Sequence, residues 1–302
     1  MHLITAQEVA GLNPAEVTFL YNNTFKCDLK LKLLLLLILL SFQTKCSKKN
    51  IEIEIVNIPK KIDETSGLEI LHGNFLTHND SGGGAILFTF DNSGKKLSEH
   101  LIEGAKNTDW ESLASDDKYI YIGDIGNNKG NRKNLRIYLV DFKFKLIDSI
   151  NFNYSNQLNF KKRKKHEFDA EALVSFNDSL IIFSKNKKKL TTEVYTLPKI
   201  RGEYSVNFKY SYQVNALITG ADYNSKEDLL ALVGYNSNIN KQYLFIFKNF
   251  STNLNKNSFQ KYIIPITNAQ IEAIKIINKD FFWLTSENEG GGYPKLIKLK
   301  LK

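Results

Sequence analysis

The sequence predicts an all-β protein folded as a β-propeller, and three features support this prediction. A short motif with a small central residue opens an apolar run five times, about every 50 residues, which is the length of a propeller blade. Phe and Tyr, which strands favour, number 20 and 14. Turn-forming polar residues and glycines separate the apolar runs. The five motifs are Ser66-Gly67-Leu68, Glu111-Ser112-Leu113, Glu171-Ala172-Leu173, Gly220-Ala221-Asp222 and Glu272-Ala273-Ile274.

Each motif begins a series of short apolar runs that we interpret as the strands of one blade, because their side chains alternate and turns separate them. The predicted strands are 67–71, 75–78, 86–90 and 97–102 in the first repeat, then 110–114, 119–122, 135–142 and 144–152 in the second. The third repeat gives 170–176, 180–184, 193–197 and 206–214, and the fourth gives 221–223, 229–233, 243–247 and 262–266. The last repeat gives only 273–277, 281–284 and 296–301.

The missing strand of the last repeat has a candidate at the start of the domain. Residues 51–56 lie before the first repeat begins, and Ile and Glu alternate in them from Ile51 to Ile55. We expect them to complete the last blade, since closing the ring removes an open sheet edge. This predicts five four-stranded blades, with six as the alternative because the second repeat is long.

The small residue of each motif has a physical reason. It would begin the innermost strand of its blade, where the strands crowd the central axis and bulky side chains clash. The residues at this position are Gly67, Ser112, Ala172, Ala221 and Ala273.

The N-terminal region is predicted to contain an export signal. Lys26, Lys30 and Lys32 precede an apolar run at 33–42, and a polar stretch follows, as in a secretory signal. Ten apolar residues are fewer than the roughly 20 that a membrane-spanning helix needs. Cys46 lies where a bacterial lipoprotein carries its lipidated cysteine, so we expect a lipid-anchored protein of the cell envelope. An uncleaved membrane anchor is the alternative.

The segments around this signal complete the predicted organisation. Residues 1–25 are an extension, and because signals normally begin a chain, we expect translation to start near residue 20–30. Residues 26–46 form the signal or lipoprotein segment, and residues 47–302 form a single propeller domain. Both cysteines, Cys27 and Cys46, lie before this domain, so no disulfide framework or cysteine nucleophile is expected in it.

The net charge of +9 could indicate nucleic acid or an anionic membrane as a partner. Heavy use of Lys, Asn, Ile, Phe and Tyr indicates instead a compositional bias and a solvated lysine surface. We therefore expect no nucleic-acid partner and a monomer. The sequence contains no G-x-S-x-G, H-E-x-x-H or phosphate-loop motif.

Strand order predicts where a site would form. The first two strands of a blade run antiparallel, so the start of one and the end of the other lie on the same face of the ring. This arrangement gathers carboxylates at one face, and neighbouring carboxylates need a proton or a cation among them.

Carboxylate and amide oxygens are better ligands for Ca²⁺ than for Mg²⁺. The predicted metal ligands are Asp109, Glu111, Asp124, Asp169, Glu171 and Glu272. The predicted ligand-binding residues are His78, Asn79, Asp80, Asn127, Asn128, Lys185, Asn236, Glu287 and Asn288. The alternative is that these residues only cap turns.

Five segments carry a resemblance to a known family. They are Glu64-Thr65-Ser66-Gly67-Leu68-Glu69, His78-Asn79-Asp80-Ser81-Gly82, Asp109-Trp110-Glu111-Ser112-Leu113, Tyr121-Ile122-Gly123-Asp124-Ile125-Gly126-Asn127-Asn128 and Asp169-Ala170-Glu171-Ala172-Leu173. They are similar to the secreted bacterial β-propellers grouped as SdiA-regulated or esterase-like phytase-type proteins. The resemblance covers residues 51–302 and implies a propeller with calcium, but no defined reaction. The fourth repeat departs from it, since Thr219-Gly220-Ala221-Asp222 lacks the glutamate.

Three functions follow as expectations. The first is a binding protein that holds calcium and an unknown small ligand at an acidic channel mouth, without catalysis. The second is a calcium-dependent phosphoesterase or esterase, in which Glu111, Asp124, Glu171 and Glu272 hold metal and Lys185 or His78 faces the phosphate. The third is a scaffold for another envelope protein.

Overall fold

The computed structural model of this chain describes residues 50–236, 241–267, 269–287 and 291–302. These residues form strands β1 to β21 and two short 3-10 turns at Lys60–Ile62 and Phe250–Thr252. No helix in this part of the chain has the length and apolar character needed to cross a bilayer.

The strands follow one another blade by blade. After β1 (Ile51–Asn57), the first blade has β2 (Thr65–Leu71), β3 (Asn74–Asn79), β4 (Ile86–Phe90) and β5 (Lys96–Leu101). The second has β6 (Trp110–Ser115), β7 (Ile120–Asp124), β8 (Leu135–Val140) and β9 (Leu146–Tyr154). Next come β10 (Ala170–Phe176), β11 (Ser179–Ser184), β12 (Thr192–Pro198), β13 (Gly202–Val206) and β14 (Tyr210–Tyr212). The fourth blade has β15 (Leu217–Asn224), β16 (Leu229–Tyr235), β17 (Gln242–Lys248) and β18 (Gln260–Ile264). The last has β19 (Ile271–Asn278), β20 (Phe281–Ser286) and β21 (Lys295–Leu301).

The ring of blades closes as the sequence predicts. β1 is the outer strand of the last blade and pairs antiparallel with β21, from Ile51 opposite Leu301 to Asn57 opposite Lys295. The innermost strands β2, β6, β10, β15 and β19 each contact the next, and β19 contacts β2. The prediction of a five-bladed propeller closed by the N-terminal strand is therefore confirmed.

Apolar side chains fill the space between blades. The described residues form five buried clusters, and each cluster combines side chains from two adjacent blades. Between the second and third blades, for example, Tyr121 and Leu139 lie in the same cluster as Leu173 and Tyr195. Each blade therefore buries apolar surface on both of its sides, and its stability depends on both neighbours.

The outer part of the third blade differs from the prediction. The prediction of a single fourth strand over 206–214 is wrong, because the chain first pairs with the neighbouring blade. β13 pairs in parallel with β9 of the second blade, from Gly202 opposite Ile150 to Val206 opposite Tyr154. The chain then returns as the three-residue strand β14, which pairs with β12. The edge of β9 is thereby covered, and the second sheet has five strands.

Close approach of neighbouring backbones explains why small residues lie at the axis. It also corrects one of the predicted positions. A Cβ atom built on Gly67 would lie 2.6 Å from the backbone nitrogen of Leu113 in the next blade. In the fourth blade the equivalent contact belongs to Gly220, whose Cβ would lie 2.6 Å from the carbonyl oxygen of Glu272. The predicted position, Ala221, is therefore off by one residue, and Thr219 occupies the place of the glutamates.

This approach predicts that Gly220→Ala destabilises the fold by about 1–3 kcal/mol, because the added methyl meets backbone that cannot move aside easily. Gly83→Ala is the matched control, since a Cβ there meets nothing within 4 Å. Chemical denaturation of both variants measures the difference. Equal stability of the two variants would contradict the proposed crowding at the axis.

Candidate metal-binding site at the channel entrance

The entrance is the face of the ring at which the innermost strands begin. In each blade the start of the first strand pairs with the end of the second. The pairs are Thr65 with Asn79, Trp110 with Asp124, Ala170 with Ser184, Leu217 with Tyr235 and Ile271 with Ser286. The antiparallel argument made from the sequence therefore describes the local arrangement within every blade.

A β-bulge near the start of each innermost strand directs the side chains at the entrance. Each bulge adds one residue that the neighbouring strand does not match, and bulges commonly redirect a side chain in this way. The bulged residues are Gly67, Glu111, Glu171, Thr219 and Glu272. All three glutamates are 3% exposed. The repeat that the sequence displays is thus the repeat of a bulge, which carries a buried glutamate in three of the five blades.

Hydrogen bonds between blades hold these bulges in place. The Ser66 hydroxyl donates to the carbonyl oxygen of Glu111 at 2.9 Å. The Thr219 hydroxyl donates to the carbonyl oxygen of Ile271 at 2.6 Å. Ser112 accepts a hydrogen bond from the backbone N–H of Leu173 at 3.1 Å. The backbone that carries the glutamates is therefore fixed from the side as well as within its own sheet.

Three carboxylates come together at the entrance, in a group that we call the entrance cluster: Asp80, Asp109 and Glu111. One carboxylate oxygen from each lies within 4.8 Å of the others. Asp80 arrives from the loop after β3, which Asn107 holds by donating to the carbonyl oxygens of Asn79 at 3.0 Å and Asp80 at 2.5 Å. Glu111 is buried, whereas Asp80 and Asp109 are half-buried and form the outer edge.

Polar atoms of the entrance cluster lack protein partners. Within the described part of the chain, Glu111 Oε1 and Asp80 Oδ1 are buried and have no hydrogen-bond partner. Gly126 packs directly against the same carboxylates, and a Cβ on it would lie 2.5 Å from Asp109 Oδ2. Buried acceptors without a donor are costly, and such atoms in a native fold require an explanation. A bound cation would satisfy them.

Electrostatics at the entrance cluster favour protons or a cation. Burial, together with the charges of the nearby Asp109 and Glu171 carboxylates, raises the pKa of Asp80 to about 8. Burial also raises the pKa of Asp109 to about 6, against the attraction of Arg132. The pKa of Glu111 lies well above its usual range because of burial and the nearby carboxylates of Glu171 and Asp80. The cluster cannot carry three negative charges without a compensating positive one.

Other predicted metal ligands are already neutralised by the protein. Asp124 Oδ1 accepts from Arg132 at 2.8 Å and from the N–H of Asp109 at 3.0 Å. Asp169 accepts from Lys187 at 2.6 Å and from the N–H of Asn127 at 2.7 Å. Both oxygens of Asp169 are thus engaged, whereas Asp124 Oδ2 is a buried atom without a partner.

Lys185, Glu171 and Glu272 form a second group at the entrance, the lysine-paired group. Lys185 Nζ donates to Glu171 Oε2 at 2.8 Å, and both side chains are almost fully buried. Burial would lower the pKa of Lys185, but the carboxylates of Glu171 and Glu272 hold it well above its usual range. Burial raises the pKa of Glu171 to about 7, against the attraction of Lys185. Glu272 also accepts a hydrogen bond from Gln270.

The remaining predicted residues have varied surroundings. Burial lowers the pKa of His78 to about 4, so this side chain is neutral at pH 7 and fully enclosed, with Nδ1 donating to the carbonyl of Asn79. The Asn127 amide donates to the carbonyl of Phe168, and Asn128 accepts from Lys187. Asn236 accepts from the N–H of Lys241 within its turn. The backbone N–H of Glu287 donates to Gln270. Asn288 and Cys46 lie outside the described residues.

Sequence reasoning missed the cations that neutralise these carboxylates. Arg132 and Lys187 come from loops whose lysines and arginines look like any others in a basic chain, so no local pattern distinguishes them. It also missed a buried triad further along the innermost strands, in which Lys275 contacts Glu69 at 2.8 Å and Asp222 at 2.9 Å. Asp222 and Lys275 follow the bulged residues Thr219 and Glu272 by three positions, whereas Glu69 follows the bulged Gly67 by two. An alignment that places Thr219 opposite Glu272 would have matched Asp222 with Lys275.

Comparisons with known proteins give only remote likenesses. No protein-family model and no curated protein matches this chain. A solved structure from Bacteroides fragilis, named as an exported protein, is 9% identical, covers 83% of this chain and 95% of its own, and has a TM-score of 0.42. One named as a gluconolactonase is 10% identical, with coverages of 80% and 75% and a TM-score of 0.44. The RRP9 WD40 repeats are 10% identical, with coverages of 84% and 100% and a TM-score of 0.43. The propeller assignment rests on the strand pairing, and these likenesses give no activity.

The raised pKa of Asp80 predicts how stability depends on pH when no divalent cation is present. Its folded pKa of about 8 exceeds the usual value of 3.8, so the folded state holds a proton that the unfolded state releases. Stability should therefore fall as the pH rises from about 4 to about 8. Thermal unfolding in a chelator across this range measures the slope. Asp80→Asn should flatten it, whereas the exposed control Glu103→Gln should not. A slope unchanged by Asp80→Asn would contradict the assignment.

Proposed function

We propose that this protein is a β-propeller that binds a divalent cation at Asp80, Asp109 and Glu111, and a small ligand beside it, without catalysis. One observation carries the proposal: three converging carboxylates include buried oxygens that have no hydrogen-bond donor among the described residues. Among the described residues, arginine or lysine pairs with Asp124, Asp169 and Glu171, but with neither Asp80 nor Glu111. A cation from solution supplies the missing charge.

Calcium is the cation that the donor set fits best. All three ligands are carboxylates, and they come from an innermost strand and from two loops of irregular geometry. Ca²⁺ accepts oxygen ligands in flexible arrangements, whereas Mg²⁺ requires near-octahedral geometry and keeps more of its water. The cluster contains no histidine or cysteine, which disfavours zinc.

The proposed ligand lies next to the ion. A cavity of about 310 Å³ opens beside Asp109 and is lined by Ser81, Thr108, Asn131 and Arg132, among others. Asp109 belongs to both the cavity wall and the entrance cluster, so an ion bound there would present free coordination positions to a small polar molecule. This arrangement supports a ligand that bridges the ion and the hydroxyl and amide groups of the cavity.

The hydrolase alternative has less support from the arrangement of the site. It requires Lys185 or His78 to face a phosphate, yet Lys185 is 5% exposed and paired with Glu171, and His78 is 0% exposed. Calcium-dependent release of phosphate or p-nitrophenol, lost in Glu111→Gln, would favour this alternative over a binding protein. We further propose attachment to the cell envelope through Cys46, which mass spectrometry of the mature N-terminus tests.

Calorimetric titration with CaCl₂ tests the metal site. We expect a dissociation constant on the order of 10⁻⁶ to 10⁻³ M, with weaker binding of Mg²⁺. Glu111→Gln and Asp80→Asn should each weaken binding at least tenfold, roughly the size of effect seen when the surroundings of a metal ligand are altered. Glu103→Gln, an exposed change of the same charge, should bind as the unmodified protein does. Absence of calcium binding in the unmodified protein would refute the proposal.

Gly126→Ala provides a test that leaves the charges unchanged. The added methyl would occupy the space between Asp109 and Glu111 that a ligand atom or ion needs. We expect calcium binding to be lost while the fold persists, as judged by circular dichroism. Gly83→Ala is the neutral control. Full calcium affinity in Gly126→Ala would mean that the ion lies elsewhere.

A further inference from the structure

Lys185 occupies a position at the entrance that resembles that of a bound ion. It follows β11 directly, and its ammonium lies in the channel with a side chain that is 6% exposed. Its surroundings are two buried glutamates and an aromatic ring. Glu171 accepts its hydrogen bond at 2.8 Å, the carboxylate of Glu272 attracts it, and the Tyr235 ring centroid lies 5.2 Å away.

The three glutamates of the entrance divide into two environments. Glu111, Glu171 and Glu272 stand on equivalent bulges of three innermost strands. Lys185 donates to Glu171 at 2.8 Å and its charge attracts the carboxylate of Glu272, whereas Glu111 joins Asp80 and Asp109 without an ammonium among the described side chains. The entrance therefore has two cation positions, and the chain itself fills one of them.

We propose that Lys185 is a tethered cation that fixes the number of ions at the entrance. Its ammonium neutralises Glu171 and Glu272 permanently, and without it these two carboxylates would recruit a divalent cation of their own. The count of ions in the unmodified protein rests on the function proposed above, but the effect of Lys185 does not.

This arrangement gives the two positions different roles. An ammonium attached to the chain needs no supply from solution, so the charge of Glu171 stays neutralised whether or not calcium is present. An exchangeable ion at Asp80, Asp109 and Glu111 can leave without opening the ring. The ion is then free to act in ligand binding and is not a permanent structural part.

Lys185→Met tests the proposal by equilibrium dialysis against CaCl₂ and by thermal unfolding with calcium or with a chelator. We expect the variant to bind one more ion per chain than the unmodified protein, and calcium to raise its melting temperature several degrees more. The double variant Lys185→Met/Glu171→Gln should lose the additional ion and much of the dependence on calcium. Lys185→Arg, which keeps the positive charge, should bind as many ions as the unmodified protein.

The outcomes separate this proposal from the calcium site itself. If the unmodified protein binds no ion, the proposed function fails, yet one ion gained by Lys185→Met still supports the role of Lys185. If Lys185→Met folds only in calcium, the ion replaces the ammonium, as proposed. An unchanged ion count in Lys185→Met, or a variant unfolded both with and without calcium, overturns the proposal.

Discussion

The close approach of five innermost strands at one axis is the constraint on which the rest of this structure depends. Backbone contacts between neighbouring strands leave no room for a Cβ at Gly67 or Gly220. Hydrogen bonds from Ser66 and Thr219 to the next blade hold the strands at this distance. Each innermost strand begins with a bulge, and in three blades the bulged residue is a buried glutamate. Packing at the axis and the position of the glutamates thus have a common geometric cause.

This geometry creates electrostatic repulsion, because the ring brings carboxylates together in a buried space. The protein offsets it with cations from different parts of the chain: Arg132 and Lys187 from loops, Lys185 at the end of a strand, and Lys275 from an innermost strand. Each pair is at least partly buried, where leaving one partner alone is strongly unfavourable. The entrance cluster differs from these pairs, since among the described residues no arginine or lysine forms an ion pair with Asp80 or Glu111. This difference, more than the number of acidic residues, is the reason for proposing a cation there.

The fold could be predicted from the sequence because it depends on patterns that repeat. Alternation at residues 51–56 and a repeat that lacks one strand identify β1 as the closing strand, and the pairing with β21 follows. The strand over 206–214 could not be predicted, since the detour of β13 to the second blade depends on a parallel edge contact that leaves no local pattern. The alignment of the fourth repeat failed because Gly220 and Ala221 are both small, and only the contact with Glu272 distinguishes them.

The site was less predictable than the fold for a related reason. The carboxylates belong to the repeat, so Glu111, Glu171 and Glu272 could be named from their spacing. Whether a carboxylate is free or neutralised depends on loops that vary between blades. Glu111 and Glu171 look identical in sequence, each preceded by an Asp two residues earlier and followed by a small residue and Leu. One meets Asp80 and the other Lys185, since the loop after β3 carries an acid near the place where the loop after β11 carries a base. The surroundings of these two glutamates therefore depend on the residue that follows a second strand, although the repeat is recognised by the first strand.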